Sequence, residues 1–323
     1  MAALSDALLV VAMLGYLAAM ICYAAVYAFG DRGVVARVAE RESDRELVGA
    51  GGPPVIEFVG EPAVPVATPP ARTVWFGRVA AAVLVLAAVA QISSLISRGV
   101  AGHRLPWGNM YEYVLAATSV AAVAWIVVMV RRPALRHLGL YVALTQVVLL
   151  GVAGLILYVP VGPLVPALDS YWLAIHVTAV AISSGVFLIA FVPAGLFLIK
   201  SGYDKGRNAF PFSLGERLPA ADVLERLSFR LHAFAFPIWT FGALIAGPIW
   251  AESAWGRYWG WDPKEVWAFI SWIVYAGYLH ARATPSVKKT TATLIAVLGF
   301  LTMLMNLFGV NIFFTGLHSY GGL

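Results

Sequence analysis

Two histidines and one ring-rich segment hold most of the chemistry that this sequence offers. His176 closes the run Leu-Asp-Ser-Tyr-Trp-Leu-Ala-Ile-His, and His318 sits near the C-terminus in Gly-Leu-His-Ser-Tyr-Gly. Between them Trp250, Trp255, Tyr258, Trp259 and Trp261 crowd into a short stretch, with Gly256 and Gly260 interspersed. Indole faces make flat apolar walls for a planar, amphipathic ligand, and glycines let backbone and rings approach it closely. Neutral imidazole is a good axial ligand for haem iron. An aromatic belt at the membrane surface is the plainer account of the tryptophans. A belt does not need so many rings in one connecting loop. Directly after the rings, Asp262-Pro263-Lys264-Glu265 has the signature of a helix start, with Asp262 as N-cap and Glu265 completing a capping box.

These groups have to be positioned in lipid. The chain has 323 residues, 61% of them hydrophobic and 12% charged, against about 25% charged in a soluble domain. That excludes an ordinary water-soluble protein and describes an all-α, polytopic membrane protein. The single cysteine, Cys22, excludes a disulfide framework or a cysteine-based metal site within the chain. No phosphate loop, HExxH or dinucleotide fingerprint occurs. Windows of about 20 apolar residues predict eight spans, at 7–29, 74–97, 109–130, 138–159, 171–199, 232–250, 264–282 and 290–314.

The segments 31–78, 131–136, 200–230 and 282–289 alternate with the others and hold 18 of the 22 Lys and Arg residues. The positive-inside rule makes their side cytoplasmic, which leaves both termini extracytoplasmic. The net charge of +5 therefore reports topology, and no nucleic-acid partner is expected. His176, about 8 Å into its span, then shares the outer face with His318 and the Trp loop. The combination suggests an outward-facing haem with two imidazole ligands. His280 falls near the cytoplasmic end of its span, where an interfacial residue before Arg282 is the plain reading. His137 and His232 read as basic-loop residues and His103 as a loop residue. Asn109 and Glu112 have capping-box spacing, and Asn306 and Asn311 are candidates for hydrogen bonds between helices.

Three regions follow: a first membrane helix at 1–30, a Pro-, Gly- and charge-rich flexible cytoplasmic loop at 31–73, and a seven-helix membrane domain at 74–323 with its outer Trp loop at about 250–265.

From Leu168 onward the sequence resembles the haem-handling proteins of cytochrome c biogenesis, of the CcsA/ResC type. The resemblance is carried by the run ending in His176, by Trp250 to Trp261 with Asp262-Pro263-Lys264-Glu265 (the WWD motif), by Tyr-Leu-His-Ala-Arg around His280, and by Gly-Leu-His-Ser-Tyr. In the first half only Asn-Met-Tyr-Glu fits clearly. The resemblance implies a membrane subunit of the two-component cytochrome c synthase, a haem lyase complex. Such a subunit brings haem b to the outer face for thioether attachment to Cys-x-x-Cys-His segments. It implies His176 and His318 as iron ligands, His280 as a ligand within the membrane, and Trp250, Trp255, Trp259, Trp261 and Asp262 as the haem-holding loop. Implied partners are a CcsB/ResB-type membrane subunit that completes the inner site unless His137 or His232 does so, an apocytochrome c and a thioredoxin-like thiol reductant. The implied location is a bacterial cell membrane in preference to a plastid thylakoid. Readings from other classes are a quinol-oxidising cytochrome b, which needs two complete histidine pairs, and a cofactor-free small-molecule transporter.

Overall fold

The computed structural model describes residues 1–29, 71–164 and 166–318. The expected cytoplasmic loop lies outside them except for residues 71–73, which are already helical. Among the described residues the secondary structure is entirely helical. Its main helices are α1 (Ala2–Phe29), α2 (Ala71–Gly102), α3 (Met110–Arg131), α4 (Gly139–Leu155), α5 (Tyr171–Tyr203), α6 (Ala221–Phe241), α7 (Gly247–Trp255), α8 (Pro263–Ala283), α9 (Lys289–Leu304) and α10 (Val310–Phe313). Two π-helical turns, Gly242–Ala246 and Met305–Gly309, weld α6 to α7 and α9 to α10.

Seven of these units are long and apolar enough to cross a membrane. The segment expected as the seventh span, now α8, is not among them. Its 21 residues begin with Lys264 and Glu265 and end with His280 and Arg282, which dilute its apolar character. Its end contacts nevertheless run it the full depth of its neighbours. Lys264 at its start bonds the far end of α9, and Arg282 at its finish pairs with Glu225 at the beginning of α6. At about 1.5 Å per residue it is roughly 32 Å long, which matches the bilayer core. The expected span 232–250 begins earlier than predicted, at Ala221, because the first turns of α6 are amphipathic and escape a hydropathy window.

Lipid gives no hydrophobic drive between helices, so small residues and polar contacts hold them together. Gly15 of α1 faces Ala87 of α2 so closely that a Cβ at Gly15 would lie 2.8 Å from that of Ala87. The same pair exchanges bonds between Ser5 and Ser94, each hydroxyl donating to the other's carbonyl at 2.9 and 2.7 Å. Tyr16 donates to Gln91 Oε1 at 2.7 Å, and Gln91 Nε2 donates to Thr118 of α3 at 2.8 Å, which ties three helices.

Helix α5 forms the centre and is buried along most of its length from Ala179 to Phe197. Phe187 stacks on Tyr275 of α8 at 4.0 Å and 4°, and Phe191 on Phe300 of α9 at 4.2 Å and 17°. At Gly185 α5 and α3 approach so closely that a Cβ would run into Ala117 O and Val120. Gly185→Leu is expected to force α3 and α5 apart and cost about 1–3 kcal/mol or more, read as a lower melting temperature in detergent.

Candidate functional site

The site lies at the end of the bundle where α5 and α8 start and α7 and α10 finish. The first two turns of α5 carry His176. Its Nδ1 lies 2.8 Å from Gly242 O in the π turn. A carbonyl only accepts, so Nδ1 carries the proton and the ring's lone pair is on Nε2. His318 follows α10, and its Nδ1 donates to Asp262 Oδ1 at 2.8 Å. The same tautomer results. An imidazole whose outer nitrogen donates to a carbonyl or carboxylate is fixed in orientation and made a better ligand.

Asp262 is the hinge pin of this arrangement. It caps α8 by accepting from Lys264 N at 3.2 Å, while Glu265 Oε2 accepts from Asp262 N at 3.0 Å, so the expected capping box is present. Its second oxygen accepts from Leu317 N at 2.7 Å. Burial would raise the Asp262 carboxyl. The hydrogen bond of His318 and the amides of Leu317 and Lys264 outweigh burial and hold it below the usual carboxylate range.

Rings connect the two histidines. Trp250, 2% exposed, stacks on His176 at 5.7 Å and 11° and meets His318 edge-on at 5.6 Å. Trp255 touches both Trp250 and His318, at 4.8 and 4.9 Å. Gly256 ends α7 in the left-handed region, φ 68°, where a residue with a side chain is strained. Both histidines, these two tryptophans and Trp259 line one cavity that opens to solvent.

Not every expected residue joins them. Trp261 is 66% exposed, has φ 57° and does not line the cavity; it stands edge-on to Trp259 at 5.7 Å. His280 is exposed on α8 near its far end and contributes nothing to the cavity. His137 and His232 are not surface residues of basic loops. They are 7% and 1% exposed, each with Nδ1 on a main-chain oxygen, and His232 sits against Phe187, Tyr275 and Tyr278. For His232 the basic neighbour misled because Arg230, two positions earlier on α6, points about 200° away from it and is exposed.

Cavity residues missed by the sequence reading include Trp107, Trp239, Met303 and Lys264. Lys264 had one signal: it is among the four basic residues on the otherwise charge-poor side. Asn311 fulfils its expectation by reaching Met110 Sδ of α3 at 3.0 Å.

The family model described as "Cytochrome C assembly protein" matches residues 107–318, about two thirds of the chain and all of this site. The chain belongs to that family. Among similar family members is the cytochrome c biogenesis protein CcsA of Synechocystis, 31% identical over 303 residues, with 76% of this chain and 89% of that one covered. The CcsA of Guillardia theta is 40% identical over 181 residues, 50% of this chain and 58% of that one, so the chain spans little more than half of that relative. A solved structure of the cytochrome c haem lyase CcmF superposes with a TM-score of 0.60 over 95% of this chain and 46% of the lyase. At 15% identity the likeness to CcmF is one of fold. The chain is thus a polytopic membrane protein of cytochrome c biogenesis.

Proposed function

We propose that the cavity binds haem, and that the chain is the haem-binding subunit of a two-component cytochrome c synthase. The observation that carries this reading is the pair of imidazoles, each with its Nδ1–H fixed by an acceptor, at one indole-walled cavity. Two ring nitrogens with lone pairs suit the two axial positions of a haem iron. Haem is the substrate of this site.

Covalent attachment adds each cysteine S–H of an apocytochrome across a vinyl C=C. A carbon–sulfur bond forms, the proton goes to the other vinyl carbon, and no net electrons are exchanged. The residues of this chain hold the macrocycle and orient it, so that the two reactants meet in one geometry, an advantage that is large for bimolecular steps. Keeping the substrate thiols reduced falls to a separate thioredoxin-like reductant. The charge asymmetry supports an extracytoplasmic cavity. At the other end, His280 is exposed toward lipid or a partner, so a haem site there takes its second ligand from a CcsB/ResB-type subunit. A quinol-oxidising cytochrome b needs two complete histidine pairs; among the described residues His176 and His318 are the only histidines that share this cavity.

Haem spectra of the protein co-purified with its membrane partner test the assignment. His176→Ala and His318→Ala are each expected to lose the six-coordinate spectrum of the outer site, with added imidazole restoring it. His280→Ala is expected to alter only the inner population. Unchanged spectra in all three variants overturn the site.

A further inference from the structure

Imidazoles and indole faces account for the metal and the plane of the proposed ligand, but not for the polar part of the cavity wall. Lys264 lines the cavity, and its Nζ donates to two main-chain carbonyls of the π turn, Asn306 O at 2.8 Å and Leu307 O at 3.4 Å. An ammonium has three N–H donors, so one remains for an occupant. Of the neighbouring carboxylates, Asp262 has both oxygens engaged, and Glu265, which also lines the cavity, has its Oε2 engaged. Asp262 serves His318, Leu317 N and the main chain of Lys264, and Glu265 Oε2 accepts from Gly260 N and Asp262 N. No ion pair of Lys264 occurs among the described residues. Three indoles on the same cavity, Trp107, Trp239 and Trp259, have buried Nε1–H groups with no hydrogen-bond partner.

Buried donors without partners are costly and call for an explanation. The donors here outnumber the acceptors: three N–H groups and an ammonium against the buried unpartnered oxygen of Asn306 and the second oxygen of Glu265. An occupant that satisfies such a wall brings acceptors, and a negative one for Lys264.

We infer that Lys264 binds a carboxylate of the cavity's occupant, so that the site selects a planar apolar acid over its neutral counterpart. The inference rests on the haem reading above and deepens it: in haem the group bound is a propionate. It also sets orientation. The acid edge is anchored where α8 begins and α9 ends, and the opposite edge of the macrocycle is turned away from Lys264. Lys264 acts here as a specificity-determining residue.

The test titrates the full chain in detergent micelles with haemin and with haemin dimethyl ester, which differ only in the acid groups, and follows the Soret band. Wild-type protein is expected to bind haemin about 10- to 100-fold more tightly than the ester, the range of a hydrogen bond to a charged group. Lys264→Met is expected to abolish that preference by weakening haemin alone, and Lys264→Arg to restore most of it. Lys200→Met, which alters a lysine paired with Asp204 at the other end of α5, is expected to leave both affinities unchanged. The inference is overturned if wild-type protein binds both ligands equally, a comparison that needs no variant. It is also overturned if Lys264→Met weakens both alike or leaves the preference intact. If wild-type protein binds neither ligand, the haem reading itself fails and takes this one with it.

Discussion

Replacing Glu112 with Ala is expected to leave little folded protein in the membrane. Glu112 is fully buried at the start of α3, and three groups converge on it. Arg98 Nε donates to Oε1 at 2.8 Å, Arg104 Nη1 to Oε2 at 2.8 Å, and Gly108 N to Oε2 at 2.7 Å. The arginines in turn hold the segment after α4, Arg98 through Val159 O and Arg104 through Gly162 O at 3.0 Å. Arg98 itself is 1% exposed. Removing the carboxylate strands a buried guanidinium, which costs about 3–5 kcal/mol. That is a large share of a typical stability of about 5–15 kcal/mol. Glu112→Gln keeps the shape and loses the charge, so an intermediate loss is expected. Arg98→Met combined with Glu112→Leu is expected to recover much of the stability by removing both charges. Thermal unfolding in detergent ranks the three. Because Trp107, Gly108, Asn109 and Met110 line the cavity, weakening this network is also expected to loosen ligand binding before the protein unfolds.

The second large effect falls on Asp262. Asp262→Ala removes a helix cap, worth about 0.5–2 kcal/mol, and also releases the segment that bears His318. Loss of the group that orients a metal-ligating histidine typically lowers affinity by about 10- to 100-fold, and that loss in haem titrations is the expected outcome. Asp262→Asn separates the two roles. Asn is as good a cap as Asp. Its single acceptor oxygen cannot serve Lys264 N, His318 and Leu317 N together, so helix α8 stays and the clasp opens. Equal behaviour of the Ala and Asn variants in both stability and haem affinity contradicts this division. The same clasp is pH dependent. The folded-state value of the Asp262 carboxyl is lowered, so its contribution is fully present above the ordinary carboxylate range, about 3.9, and is lost as pH falls through the lowered value. The protection of the amides of Phe314 to His318 against exchange, relative to an unstructured chain at the same pH, is expected to be constant across neutral pH and to fall only in acid.

How far the sequence discloses this architecture differs from residue to residue. Apolar runs locate the spans because the bilayer fixes their length, and α8 is less apolar than the others because polar groups sit at both its ends. His176 and the Trp250–Trp255 pair were legible because their types advertise a role. That Asp262 caps a helix follows from its neighbours; that it holds His318 does not, since a contact across 56 positions is set by packing alone. Glu112 shows the same limit. Its spacing from Asn109 announces a cap, while the arginines it anchors come from α2 and the loop that follows. Trp261 belongs by type to the ring cluster, yet the left-handed backbone at that position swings it away from the cavity.

The two π turns lend this site acceptors that no side chain supplies. His176 is held by Gly242 O and Lys264 by Asn306 O and Leu307 O, all within turns wound one residue wider than their helices. Side-chain substitution at these positions leaves the carbonyls in place, so alanine scanning is a poor way to find them. Chain length is what they are sensitive to. A π turn takes up one extra residue within a single turn, and deleting that residue closes the turn to α. The carbonyls of Gly242, Asn306 and Leu307 would then be drawn back toward the helical ladder and away from His176 and Lys264. The number of residues in each turn, more than their identity, keeps these acceptors in place.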